Sequence, residues 1–259
     1  MSLIKPLSRH TRIIEALMMR EVVTRFGREG LGFLWLVGEP LLFCLGVLVM
    51  WSIIKPEYEH GIRLGPFIVT GYMSLLLIRH QIAYSQGAIQ GNIGLLFHKQ
   101  ISVLHIMLSR AILEFFGATA AFIVVYFVLM VLGQVSWPED ILLVYAGWLI
   151  LAVFSVGLAN VMAALAIRWE VMERIVPLLT YLLIPLSGAF FMAAWLPDRV
   201  RDIYLLVPIP HAIEMVRAGV FGPFVETHYN AAYVLAWSGV LNFLGLILLA
   251  DARDRVDVE

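Results

Sequence analysis

The chain has 259 residues, of which 61% are hydrophobic and only 14% charged, against about 45–50% and about 25% in an ordinary soluble domain. A water-soluble globule of this size would lack the polar side chains to cover its surface, so the composition implies an integral membrane protein. A net charge of −1 gives no basic face for a nucleic acid, and the single cysteine, Cys44, excludes an intramolecular disulfide and a cysteine-based metal site.

In chain order, residues 10–26 come first. Ile13, Ile14, Leu17, Met18 and Val22 recur at helical spacing, with Arg12, Glu15, Arg20 and Glu21 between them. This pattern predicts an amphipathic helix lying along the headgroups. The first thirty residues contain neither an apolar signal core nor a small-residue cleavage site. Six apolar runs then follow, each at least as long as the ~20 residues that a membrane-crossing helix needs. They are expected at about 34–54, 64–84, 104–133, 141–167, 175–194 and 230–250. The first holds Glu39 and the second Arg79, and the long charge-free stretches are 115–138, 141–167, 175–197 and 227–250. The expected fold is therefore all-α: a tail and interfacial helix over 1–30, a six-span domain over 31–252, and a tail over 253–259.

Topology follows from the lysines and arginines. Counting loops alternately, thirteen of the eighteen fall on one side, the side that carries both termini. The positive-inside rule places that side in the cytoplasm. No internal repeat is visible, and no carboxylate sits at a span centre, which disfavours an ion-coupled transporter.

Two connections are too long for turns. The cytoplasmic one runs through Gln90, Gly91, Asn92, Gly94, Leu95, Leu96, Phe97, His98 and Lys99. It is either a docking site for a soluble partner or an interfacial connector. The other, 195–229, has Pro208, Pro210, His211, Glu214 and Arg217 set among apolar residues, closed by Gly219, Gly222 and Pro223. It reads as a re-entrant helical hairpin acting as a lid, or as a surface hairpin with no gating role.

Reactive constellations are missing from the sequence: there is no phosphate-binding G-x-x-x-x-G-K-[ST], no G-x-S-x-G and no H-E-x-x-H. No catalytic or metal-ligating residues are expected. His98 and His105 are seven apart, which fits no metal spacing, and Cys44 is expected to be a packing residue. Arg110 and Glu114, one turn apart, are open to structural pairing or to substrate contact. Ser155, Ala159 and Ala163 form a line of small residues that suggests close helix packing, with self-association as a second reading.

Three stretches, taken together, carry a family resemblance. They are Arg20-Glu21, Thr24-Arg25-Phe26, Leu31-Gly32-Phe33-Leu34-Trp35 and Glu39-Pro40; then Gln90-Gly91-Asn92 with Gly94 to Lys99; then Pro208, Pro210-His211, Glu214 and Arg217. In this order they resemble the membrane subunit of type-2 ABC exporters, and the second stretch is similar to the KpsM-like capsule-polysaccharide branch.

The resemblance implies a homodimer in a bacterial inner membrane, with two cytoplasmic ATPase subunits that bind ATP and Mg2+. It also implies periplasmic and outer-membrane export components, and a lipid-linked capsular polysaccharide as cargo. O-antigen, teichoic acid, another glycolipid or a drug are the alternatives. Gly91, Asn92, Gly94, Phe97, His98 and Lys99 would dock on the ATPase, and the 10–26 helix would also touch it. Pro208, Pro210, His211, Glu214 and Arg217 would narrow the outer mouth. For a sugar polymer, Phe33, Trp35, Tyr72 and Tyr84 are candidate stacking rails or interfacial anchors. Arg79 and His80 are candidates to meet an acidic sugar or a lipid phosphate.

Overall fold

The computed structural model describes residues 4–26, 31–54, 58–59, 61–96 and 100–256. The helices are α1 (Ile4–Phe26), α2 (Leu31–Ile54), α3 (Leu64–Ser85), α4 (Ile93–Leu96), α5 (Val103–Val131), α6 (Ile141–Arg168), α7 (Glu170–Ser187), α8 (Asp198–Tyr204), α9 (Pro208–Phe221) and α10 (Ala231–Val256). Between α2 and α3 lies a two-rung antiparallel ladder of β1 (Tyr58–Glu59) and β2 (Ile62–Arg63), in which Tyr58 faces Arg63 and Glu59 faces Ile62.

Among the described residues, four helical stretches are long and apolar enough to cross a bilayer: Val37–Ile54, Val103–Val131, Ile141–Arg168 and Ala231–Asp251. The α8–α9 pair, bent by 107°, adds a fifth if it counts as one span. The expected second and fifth spans are helical but fall short of that measure, for different reasons. Helix α3 packs against α2, α5, α6, α7 and α9, and nearly all its residues are buried. A helix surrounded by protein has no lipid to satisfy, so it can carry Thr70, Ser74 and Gln81. Helix α7 starts earlier than the apolar run suggests and holds Glu170 and Glu173 in its first turn. It stops at Ser187 instead of continuing to 194, because Gly188 takes a left-handed φ of 74°, the usual way to end a helix.

Other boundaries have local causes. Helix α9 opens on Pro208 and Pro210, where the missing amides would have been unpaired anyway. The Asp140 carboxylate caps α6 by accepting from Leu143 N at 2.9 Å. Ser102 and His105 form a reciprocal cap at the start of α5. Gly157 and Gly245 let α6 and α10 approach closely: a Cβ on Gly157 would lie 2.7 Å from Asn242 Nδ2. The small-residue line of α6 is thus used inside the chain, with Ser155, Ala159 and Ala163 buried. Cys44 is buried against the Met73 sulfur at 3.9 Å.

The bundle has two distinct ends. At the loop end, Leu17 of α1, Ile89, Val103 of α5, Ala163 of α6 and Leu249 of α10 share an apolar cluster. The first and last helices therefore meet at the same end. At the other, hairpin end stand β1–β2, the α5–α6 turn and α8–α9.

Candidate functional site

The loop end is held by charges from segments remote in sequence. Glu114 of α5, with its side chain 2% exposed, pairs with Arg25 of α1. Arg25 also bonds Glu21 at 2.7 Å and lies 3.9 Å over the Tyr84 ring. Burial works against the Arg25 charge, but Glu114 and Glu21 outweigh it and its pKa stands raised. Glu21 reaches Arg110 at 3.2 Å, and Arg110 donates to the Tyr84 carbonyl at 2.6 Å. Arg110 and Glu114 thus belong to structural pairs, and each is paired with α1. His80 sits 3.8 Å from Glu114, edge-on to Tyr84.

The connection between α3 and α5 joins this network. After Ser85, residues Gln90–Asn92 make one 3₁₀ turn and α4 one further turn. Gly91 and Gly94 are exposed, while Asn92 is buried. Asn92 accepts from Arg20 of α1 and donates to the Ala88 carbonyl at 2.7 Å. Gln90 donates to Glu173 of α7 at 3.0 Å. Phe97, His98 and Lys99 lie outside the described residues.

The hairpin end is built differently. Arg217 is fully buried and donates to the carbonyls of Gly188, Phe191 and Ala189, each at 2.8 Å. Those carbonyls belong to the turn that follows the end of α7 at Ser187. Its guanidinium also lies 4.4 Å over Phe67 of α3. Glu214, one turn away and 3.7 Å from Arg217, accepts from Ala193 N at 3.3 Å and His228 N at 3.2 Å. His211 bonds the Leu205 carbonyl at 2.7 Å and accepts from Asn230 N at 3.1 Å. Pro210 is buried and Pro208 half-buried. These side chains are spent on binding the segment to itself. Gly71 of α3 makes room for it, since a Cβ there would stand 1.9 Å from the Ala189 carbonyl oxygen.

The remaining pathway candidates are spread along α2 and α3. Tyr72 is buried and stacks on Phe43 at 4.4 Å. Arg79 lies 5.4 Å over the Tyr181 ring of α7. Trp35 is 61% exposed on α2, whereas Phe33 lies in α2 with its side chain outside the description. Residues 72, 79 and 84 thus follow one another along α3, and Trp35 lies on α2. Tyr181 went unmarked because it sits in a charge-free run. The Glu21–Arg25 pair did carry a signal: both charges continue the apolar stripe of Leu17, on the face that should be buried.

Comparison with known proteins places this architecture in a class. The family model described as ABC-2 type transporter matches residues 12–221, and the chain belongs to that family. Among its relatives, the capsule polysaccharide export inner-membrane protein CtrC of Neisseria meningitidis serogroup B is 38% identical over 248 residues, covering 96% of this chain and 94% of the relative. BexB of Haemophilus influenzae, of the same description, is 34% identical with the same coverage. The polysialic acid transport protein KpsM of Escherichia coli is 26% identical over 246 residues, covering 94% of each chain. The resemblance drawn from three short stretches thus extends over nearly the whole length.

Proposed function

We propose that this protein is the permease subunit of an ATP-driven exporter that moves lipid-linked capsular polysaccharide out of the cytoplasm. The observation that carries the reading is near end-to-end similarity to capsule export inner-membrane proteins. Two copies pair, and each engages one cytoplasmic ATPase subunit that supplies the nucleotide chemistry with ATP and Mg2+. Export components of the periplasm and outer membrane continue the route.

In this reading the chain crosses the membrane six times, α3 and α7 included, with both termini in the cytoplasm. The loop end then faces the cytoplasm, and residues 91–102 dock on the ATPase. The α8–α9 segment dips into the outer leaflet as a re-entrant hairpin and narrows the outer mouth. The network from Asn92 to Glu114 supports this assignment, because it ties the docking segment to the transmembrane helices. Arg79 with Tyr181, and the exposed Phe43 backed by Tyr72, offer a cation and aromatic faces to a passing acidic sugar chain.

The reading is tested by deleting the gene and locating the glycan. A capsular polymer carrying its lipid anchor should be retained in the cytoplasm, and the intact gene should restore it to the surface. Retention of an O-antigen or a teichoic acid instead would reassign the cargo, and unchanged surface capsule would reject the function.

A further inference from the structure

Helices α3, α5 and α6 meet around a small enclosed cavity. Gln81 and Ser85 of α3, Met107 and Arg110 of α5, and Asn160 of α6 are among the residues that line it. It leaves about 10 Å³ for the centre of a water molecule, and one bound water takes up roughly 10–15 Å³ by that measure. An acyl chain or a sugar ring does not fit.

Polar side chains nearby on α6 and α10 are paired within the chain. Ser155 donates to the Leu151 carbonyl at 2.6 Å, Ser238 to the Val234 carbonyl at 2.7 Å, and Asn242 to the carbonyls of Val153 and Ser238 at 2.9 Å. Asn160 differs. It is buried, yet its amide makes no hydrogen bond among the described residues. Gln81 is buried as well. Its Nε2 donates to the Ala111 carbonyl at 3.0 Å, which leaves Oε1 unspent. The Ser85 hydroxyl donates to the Ile82 carbonyl at 2.7 Å and lies 3.3 Å from the Ala159 carbonyl. One cavity is thus bordered by two amides with unused donors and acceptors. Leaving such groups buried and unpaired is unfavourable, and a bridging water is the usual remedy.

We propose that this cavity is a binding site for one water molecule, which donates to Gln81 Oε1 and bonds the Asn160 amide, joining α3 to α6. A metal cation suits the site less well. It would enter beside the fixed positive charge of Arg110, and the carboxylate of Glu114, which also borders the cavity, is already paired with Arg25. Asn160 is therefore a ligand for water inside the bundle, whatever cargo the protein moves.

The test exposes the full chain in lipid nanodiscs to a short X-ray pulse, which makes hydroxyl radicals from bound and bulk water alike. Met107 borders the cavity and is 3% exposed, whereas Met73 and Met192, both 0% exposed, do not border it. A bound water should oxidise Met107 and leave Met73 and Met192 unlabelled. Radicals made only in bulk solution, by photolysis of peroxide, should leave all three unlabelled. Asn160→Leu removes the amide and fills the cavity, so the Met107 signal should be lost. Labelling of Met107 no greater than that of the two controls would mean a dry cavity and overturn the proposal. Equal labelling of Met107 by bulk radicals would overturn it too, since the cavity would then be open to solvent. Persistent labelling in a folded Asn160→Leu protein would remove Asn160 as the ligand. If that variant does not fold, the three methionines of the native chain decide alone. A rise in Tm when sodium replaces choline, absent in Asn160→Leu, would put a cation in the cavity and reject the water.

Discussion

The two ends of the bundle hold their charges by opposite means. At the hairpin end, Arg217 and Glu214 bind backbone groups of residues 188–193 and 228, all within one contiguous stretch. At the loop end, the bonds join side chains 72 to 89 residues apart: Arg20 with Asn92, Glu21 with Arg110, Arg25 with Glu114. The first arrangement makes a locally closed module packed on α6 and α3. The second is an assembly joint, and it brings α1 and the α3–α5 connection onto α5. A module that satisfies its own polar groups can shift as a block, whereas a joint between distant segments transmits displacement.

That contrast can be broken most sharply at Arg217. Arg217→Met would leave three carbonyls without their donor and Glu214 without its cation, and breaking a buried pair costs about 3–5 kcal/mol. Thermal unfolding in detergent should show a large drop in Tm, and Arg217→Lys should not recover it, because an ammonium cannot span the three carbonyls as a planar fork does. A wild-type Tm for Arg217→Met would dissolve the distinction. Next in size, Gly71→Ala drives a Cβ into the Ala189 carbonyl and should cost about 1–3 kcal/mol. Gly94→Ala, with nothing within 4 Å of the new Cβ, should leave Tm unchanged, which sets the close-packed hairpin end against the open loop.

A smaller effect is expected at the joint itself. Asn92→Ala frees Arg20 and the Ala88 carbonyl, at a cost of about 1 kcal/mol, yet export should fall further than stability does. Equal losses in a paired export and unfolding series would reduce Asn92 to a structural role. The smallest effect belongs to Tyr181→Ala. Its cation–π contact with Arg79 contributes about 0.5–1 kcal/mol at a half-exposed site, so Tm should hardly move. Arg79→Ala should slow export of an acidic polymer at normal protein levels; unchanged export would remove Arg79 from the path.

Apolar runs made most helices legible, since lipid-facing segments must be hydrophobic along their length. Two features escaped that logic. The central position of α3 was hidden because a helix enclosed by protein need not be as apolar as one in lipid. The end of α7 at Gly188 was hidden because the break lies within a charge-free stretch, where composition does not mark a change of backbone hand. At the candidate site, Arg110 and Glu114 suggested pairing by their spacing, but their partners on α1 lie 89 residues away, beyond any local pattern. His211, Glu214 and Arg217 stood out as polar residues in apolar surroundings; which backbone groups they would bind depended on the fold of 188–193.

The proposed function requires the chain to work as a passive conduit driven by another subunit. The direct measurement is transport in proteoliposomes containing the purified chain, its lipid-linked polymer inside or out, and ATP, with and without the partner ATPase. The account predicts translocation only when the ATPase is present and hydrolysing. Sustained translocation by the chain alone would contradict it.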